Sequence, residues 1–168
     1  MPTLIRLENG QFVEADDGFA LVETDAGLPP AGGVILSLAR FEVEGAALLD
    51  DGRAVGVLVQ PDEAVEGLAY DLPRLALVAL AFPKFRDGRP YSSAVLLRTR
   101  LDFRGEIRAV GDVLRDQARE MVRCGFTAFV PADGSAVEAW AVSAGRYRHV
   151  YQTAADRRAP AFVEREQG

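Results

Sequence analysis

Two stretches of this chain are apolar without interruption: residues 54–59, reading Ala-Val-Gly-Val-Leu-Val, and residues 75–82, from Leu75 to Phe82. A strand with one wet face alternates apolar and polar side chains, so an unbroken apolar strand must be covered on both faces. Such strands belong to parallel sheets, whose crossover helices supply cover. Two shorter strand patterns follow, 107–110 and 126–130. Helical patterns alternate with all four. A short one begins at Pro61 and ends near Tyr70. Residues 90–101 place Ala94, Leu97 and Leu101 on one face. Residues 112–123 do the same with Leu114, Ala118, Met121 and Val122. Asp112 is placed to cap that helix and Gly125 to end it. Ser135 to Glu138 is a capping-box pattern opening a last helix, with Val137, Trp140, Ala141 and Ala144 inward. The predicted class is α/β, a small parallel sheet of βαβ units. Half a β/α barrel and an open sheet both satisfy the pattern.

The first third reads differently. Leu4, Ile5 and Leu7 precede Asn9-Gly10, and Phe12 and Val13 follow it. Asn-Gly is the strongest short hairpin signal, because both residues tolerate positive φ. Phe19 to Glu23 fits a third strand. Residues 28–33 form a Pro- and Gly-rich loop and the expected boundary. Residues 34–49 carry helix and strand signals together, and their length favours helix, ended by Asp50-Asp51-Gly52. The expected organisation is N-terminal antiparallel strands over 1–33, an α/β domain over 34–152 and a mobile tail over 153–168.

Composition excludes several functions. The single Cys and single His leave no disulfide framework, Cys-rich zinc site or His-pair metal site. No apolar run approaches the roughly 20 residues a membrane span needs. The opening Met1-Pro2-Thr3-Leu4 lacks signal-peptide character. The expectation is a soluble, cytoplasmic protein that engages no membrane. No GxGxxG, Walker A loop, CxxC or HExxH occurs, so no cofactor or metal is expected. The net charge is −6, divided unevenly. Residues 1–73 carry three arginines against fourteen acids, and residues 74–125 carry ten arginines and one lysine against six acids. An acidic chain with no basic run interleaved with aromatics does not suit nucleic acid. The basic centre suits an anion or an acidic partner surface. The same asymmetry could pair two copies as a homodimer.

Parallel sheets bind ligands beyond the carboxyl ends of their strands. The segment after Phe82 holds Lys84, Arg86, Asp87 and Arg89 just before a predicted helix start. Free N–H groups, a positive dipole end and arginine forks together form an oxyanion site. Alternatively, Asp87 simply holds an arginine or a backbone N–H in a turn. Asp112 is the next candidate, able to orient an arginine of that loop. Arg115 begins a stripe with Arg119 and Arg123 at i, i+4, i+8 that could dock a partner or be a solvated face. Cys124 lies at a helix C-terminus, which disfavours a thiolate. His149 reads as a packing or surface residue.

Residues 82–92 (Phe-Pro-Lys-Phe-Arg-Asp-Gly-Arg-Pro-Tyr-Ser), Leu96-Leu97-Arg98, residues 105–117 and Arg123-Cys124-Gly125-Phe126 resemble a family of uncharacterised bacterial proteins. Its members are encoded beside assimilatory sulfite reductase and loosely labelled probable oxidoreductases of sulfite reduction. The resemblance runs through about residues 54–130, with Tyr151-Gln152 similar to the family's ending. Pro90 departs from it, standing where the family usually has Gly; it stiffens the helix start and removes an N–H from the candidate site. The resemblance implies a role in sulfate assimilation, at or near sulfite reduction; taken with the missing redox-cofactor motif and the uneven charge, the expectation is an accessory protein that binds sulfite reductase or presents a small oxyanion to it. A small α/β enzyme or oxidoreductase acting on a sulfur-containing or phosphorylated anion is the alternative.

Overall fold

The computed structural model describes residues 3–147 and 149–166. It contains one eight-stranded sheet: β1 (Leu4–Glu8), β2 (Gln11–Ala15), β3 (Phe19–Leu21), β4 (Gly33–Ser37), β5 (Val55–Val59), β6 (Leu77–Phe82), β7 (Glu106–Gly111) and β8 (Ala128–Phe129). The strand order is β2-β1-β8-β7-β6-β5-β4-β3. From β3 to β8 every neighbouring pair is parallel. The N-terminal hairpin is present and continues the sheet, with β1 antiparallel to both β2 and β8.

The sheet is curled. A flat sheet of eight strands spaced about 4.8 Å apart would hold its edges about 34 Å from each other. The chain passes from β2 at one edge to β3 at the other through residues 16–18 alone. Four Cα steps reach at most about 15 Å. The edges must therefore approach, and the α/β architecture is a curled half-barrel with β2 and β3 unpaired to each other.

Among the described residues, five α-helices accompany the sheet: α1 (Leu38–Asp50), α2 (Arg89–Thr99), α3 (Ala118–Cys124), α4 (Val137–Gly145) and α5 (Ala161–Glu166). Alternate strand residues Val34, Leu36, Val55, Val57, Val78, Leu80, Phe82, Ile107 and Ala109 join one core with Phe41, Leu48, Leu97, Met121 and Trp140 from the helices. Each of these strand residues is buried, as the unbroken apolar runs require. The opposite face carries a second, smaller cluster of Ile35, Leu77 and Ala79, packed by Phe19, Leu58 and Val110.

Several local expectations are corrected. Residues 34–49 are not one helix: β4 takes the chain to Ser37, whose Oγ accepts the Arg40 N–H at the start of α1. The valine and isoleucine ahead of Ser37 favour strand, and length alone misplaced the boundary. The segment Phe19 to Glu23 holds a strand, but β3 runs parallel to β4 rather than within an antiparallel piece. The Pro61 to Tyr70 stretch is a 3₁₀ turn over Val65–Leu68. The Asp112–Arg123 helix begins only at Ala118, after a 3₁₀ turn over Arg115–Gln117. Ser135 does not cap α4; its Oγ accepts the Trp140 indole N–H at 2.9 Å. In the tail, Ala155 N–H donates to the Arg123 carbonyl and Ala161 N–H to that of Val150.

Candidate functional site

Lys84, Arg86, Asp87, Arg89 and Asp112 lie together where the carboxyl ends of β6 and β7 leave the sheet. Gly111 closes β7 at φ 96°, and a Cβ there would collide with the Phe82 carbonyl. Only glycine permits this approach. It lets the Asp112 N–H reach the Phe82 carbonyl at 2.7 Å.

The loop 83–88 is braced from both sides. The Asp112 Oδ2 accepts the Phe85 N–H at 2.8 Å, and the Gln117 Nε2 donates to the Phe85 carbonyl at 3.1 Å. Gln117 is buried, and its Oε1 accepts the Leu114 N–H at 3.0 Å. Asp112 is thus a tether between loops and caps no helix. Sequence reasoning missed Gln117, because a polar residue in a helical pattern reads as a solvated position. The one signal for it was its place in the family-like stretch 105–117.

Asp87 and Arg89 neutralise each other. The Arg89 Nε and Nη2 donate to the two Asp87 oxygens at 3.0 and 2.7 Å, and the Arg89 backbone N–H donates to Oδ1 at 3.1 Å. The Arg89 fork holds the Asp87 carboxyl below its usual range. Of the N–H groups opening α2, that of Arg89 is therefore taken, that of Tyr91 bonds the Gly88 carbonyl, and Pro90 has none. The helix start that would have cradled an oxyanion is largely occupied by the protein itself.

Lys84 and Arg86 remain. Both are exposed and, among the described residues, neither side chain has a hydrogen-bond or ion-pair partner. Between them the Phe85 ring is 40% exposed. The loop thus fixes its main chain and presents cation, aromatic and cation outward. Arg115 is exposed and lines a groove with Glu138, Val142 and Arg146.

The rest of the Arg115–Arg119–Arg123 stripe is engaged. The Arg119 guanidinium stacks on Tyr147 at 4.7 Å. Arg123 meets Asp156 at 3.5 Å and donates to the Gln152 carbonyl at 2.5 Å. Burial and Glu120 push the Cys124 thiol up. His149 Nδ1 lies 2.7 Å from Glu164, joining α5 to the segment before it. Among the described residues no group of three or more His, Cys, Asp and Glu is placed to hold a metal, and no helix is long and apolar enough to cross a membrane.

A family model described as bacterial protein of unknown function, DUF934, matches residues 56–162. The chain belongs to this family. The DUF934 match covers more than half of the chain, from β5 into α5, and so contains the braced loop, Asp112, Gln117 and the tail. Most of the acidic first third lies outside it. No curated protein matches the chain.

Proposed function

We propose that this protein is an accessory factor of sulfate assimilation, acting at or near sulfite reduction by docking on an acidic surface of sulfite reductase. The observation that carries the reading is the Lys84-Phe85-Arg86 tripeptide. Its main chain is braced by Asp112 and Gln117, while its two cations lack carboxylate partners. Aromatic and arginine side chains held in fixed positions are the usual anchors of protein interfaces. The resemblance of residues 82–92 and 105–117 to proteins encoded beside assimilatory sulfite reductase supports the choice of partner. A partner's carboxylates fit this edge better than a free oxyanion, because Asp87 already fills the Arg89 fork and an N–H at the start of α2.

A deletion strain tests the proposal. Wild-type protein restores growth on sulfate as sole sulfur source, and a Lys84→Glu, Arg86→Glu variant expressed at equal level does not. Full complementation by the variant would overturn the role of this edge. Equal growth of the deletion strain and its parent on sulfate would overturn the pathway.

A further inference from the structure

We propose a second ligand site at the opposite edge of the sheet, one that takes a dianionic tetrahedral group, a phosphate monoester, on an apolar body. A cleft of about 650 Å³ opens at the amino ends of β7 and β8, lined by Arg98, Arg104 and Arg157, by the carboxylates of Asp102 and Asp156, and by apolar residues such as Val122.

Arg98 is the anchor. Its Nε donates to the Gly125 carbonyl at 3.0 Å, and its Nη1 donates to the carbonyls of Phe103 and Gly105 at 2.7 and 2.8 Å. The guanidinium is fixed by three neutral acceptors, and Nη2 has no partner among the described residues. Arg6, Arg40, Arg108 and Arg123 each sit beside a carboxylate, and Arg98 does not. Burial and the like charge of Arg104 lower its pKa to about 10. A half-buried cation without a counter-ion is costly, and a bound anion removes that cost.

Arg157 supplies the second uncompensated charge. It is exposed, has no side-chain partner among the described residues, and stands at φ 55°. A left-handed conformation is costly for a residue other than glycine. The other cations nearby are paired, Arg104 with Asp102 and Arg123 with Asp156. Two unpaired arginines match a dianion, and the fork geometry of guanidinium suits its oxygens. The cleft has the volume of a small-molecule site, far more than a bare oxyanion fills.

Calorimetric titration of the full chain with phenyl phosphate at low salt tests this. Saturable one-to-one binding is expected, at least tenfold tighter than for inorganic phosphate and weakened at least tenfold by Arg157→Glu. The unliganded thermal midpoint of that variant stays unchanged, since Arg157 is exposed. The Arg98 Nε–H resonance shifts during the same titration. Absence of saturable binding, equal affinity for inorganic phosphate, binding indifferent to Arg157→Glu, or an Arg98 resonance that does not move would each overturn the proposal. Loss through Lys84→Ala and Arg86→Ala instead would move the anion to the other edge and equally overturn it.

Discussion

Arg108 is a buried charge that ties the sheet together. It lies on β7, is 1% exposed and faces the inside of the curl. Its Nε donates to Glu106 at 2.7 Å and its Nη1 to Asp17 at 2.8 Å, while its guanidinium lies 5.8 Å from the Phe19 ring centre. Asp17 belongs to the short link between β2 and β3, so this ion pair holds the two sheet edges towards each other. Arg6 adds a second donor to Glu106 at 2.9 Å. Removing one partner of a buried ionic cluster strands the others, at a cost of about 3–5 kcal/mol. Arg108→Ala is expected to lower unfolding free energy by that amount in urea titration. Cys124 yields a prediction about reactivity. Burial holds its thiol pKa above the ordinary value, so the thiolate is scarce at neutral pH. Alkylation at pH 8 should run slower than for a free thiol and accelerate only at higher pH. A fast reaction at pH 7 would contradict this burial.

At the scale of elements, the glycines that end strands and helices decide what the neighbouring loops can do. Gly125 ends α3 at φ 102°, and a Cβ there would lie 2.5 Å from the Arg98 Cγ. Gly125→Ala combines backbone strain with this clash and should cost at least about 1 kcal/mol, read as a lowered thermal midpoint. The loop 83–88 gives a pH prediction. The Asp87 carboxyl is held below its usual range by Arg89, so the pair is intact at neutral pH. It opens only as pH falls below the ordinary carboxylate range, and the Arg89 Nε–H resonance should stay constant from pH 8 to 5 and move only at lower pH. The unbroken apolar runs made β5 and β6 legible, because burial on both faces leaves no polar position. β4 was harder to read: four buried residues of strand run into α1 with only Ser37 between core and helix.

The whole molecule explains what the chain could not disclose. The curl follows from sheet order, and sheet order places β1 beside β8 through contacts more than a hundred residues apart. No local pattern encodes that pairing. The same holds for Arg108: Glu106-Ile107-Arg108 alternates like a half-wet strand, yet its polar side faces Asp17 rather than water. At the candidate site, the clustering of Lys84, Arg86, Asp87, Arg89 and Asp112 was legible from the rule that parallel sheets work at their carboxyl edge. Which charges cancel was not, because Arg86, one residue before Asp87, and Arg89, two residues after it, are both near enough in the chain to pair with it. The structure pairs Asp87 with Arg89 and leaves the Lys84 and Arg86 side chains outward, the arrangement on which the proposed docking role rests. Docking through exposed charges should weaken with salt.

The most direct test is a binding measurement between the full chain and purified assimilatory sulfite reductase at low and high salt. The account predicts saturable association at low salt, weakened by salt and lost in Lys84→Glu, Arg86→Glu at an unchanged thermal midpoint. No association at low salt, or association that the double variant retains in full, would contradict it.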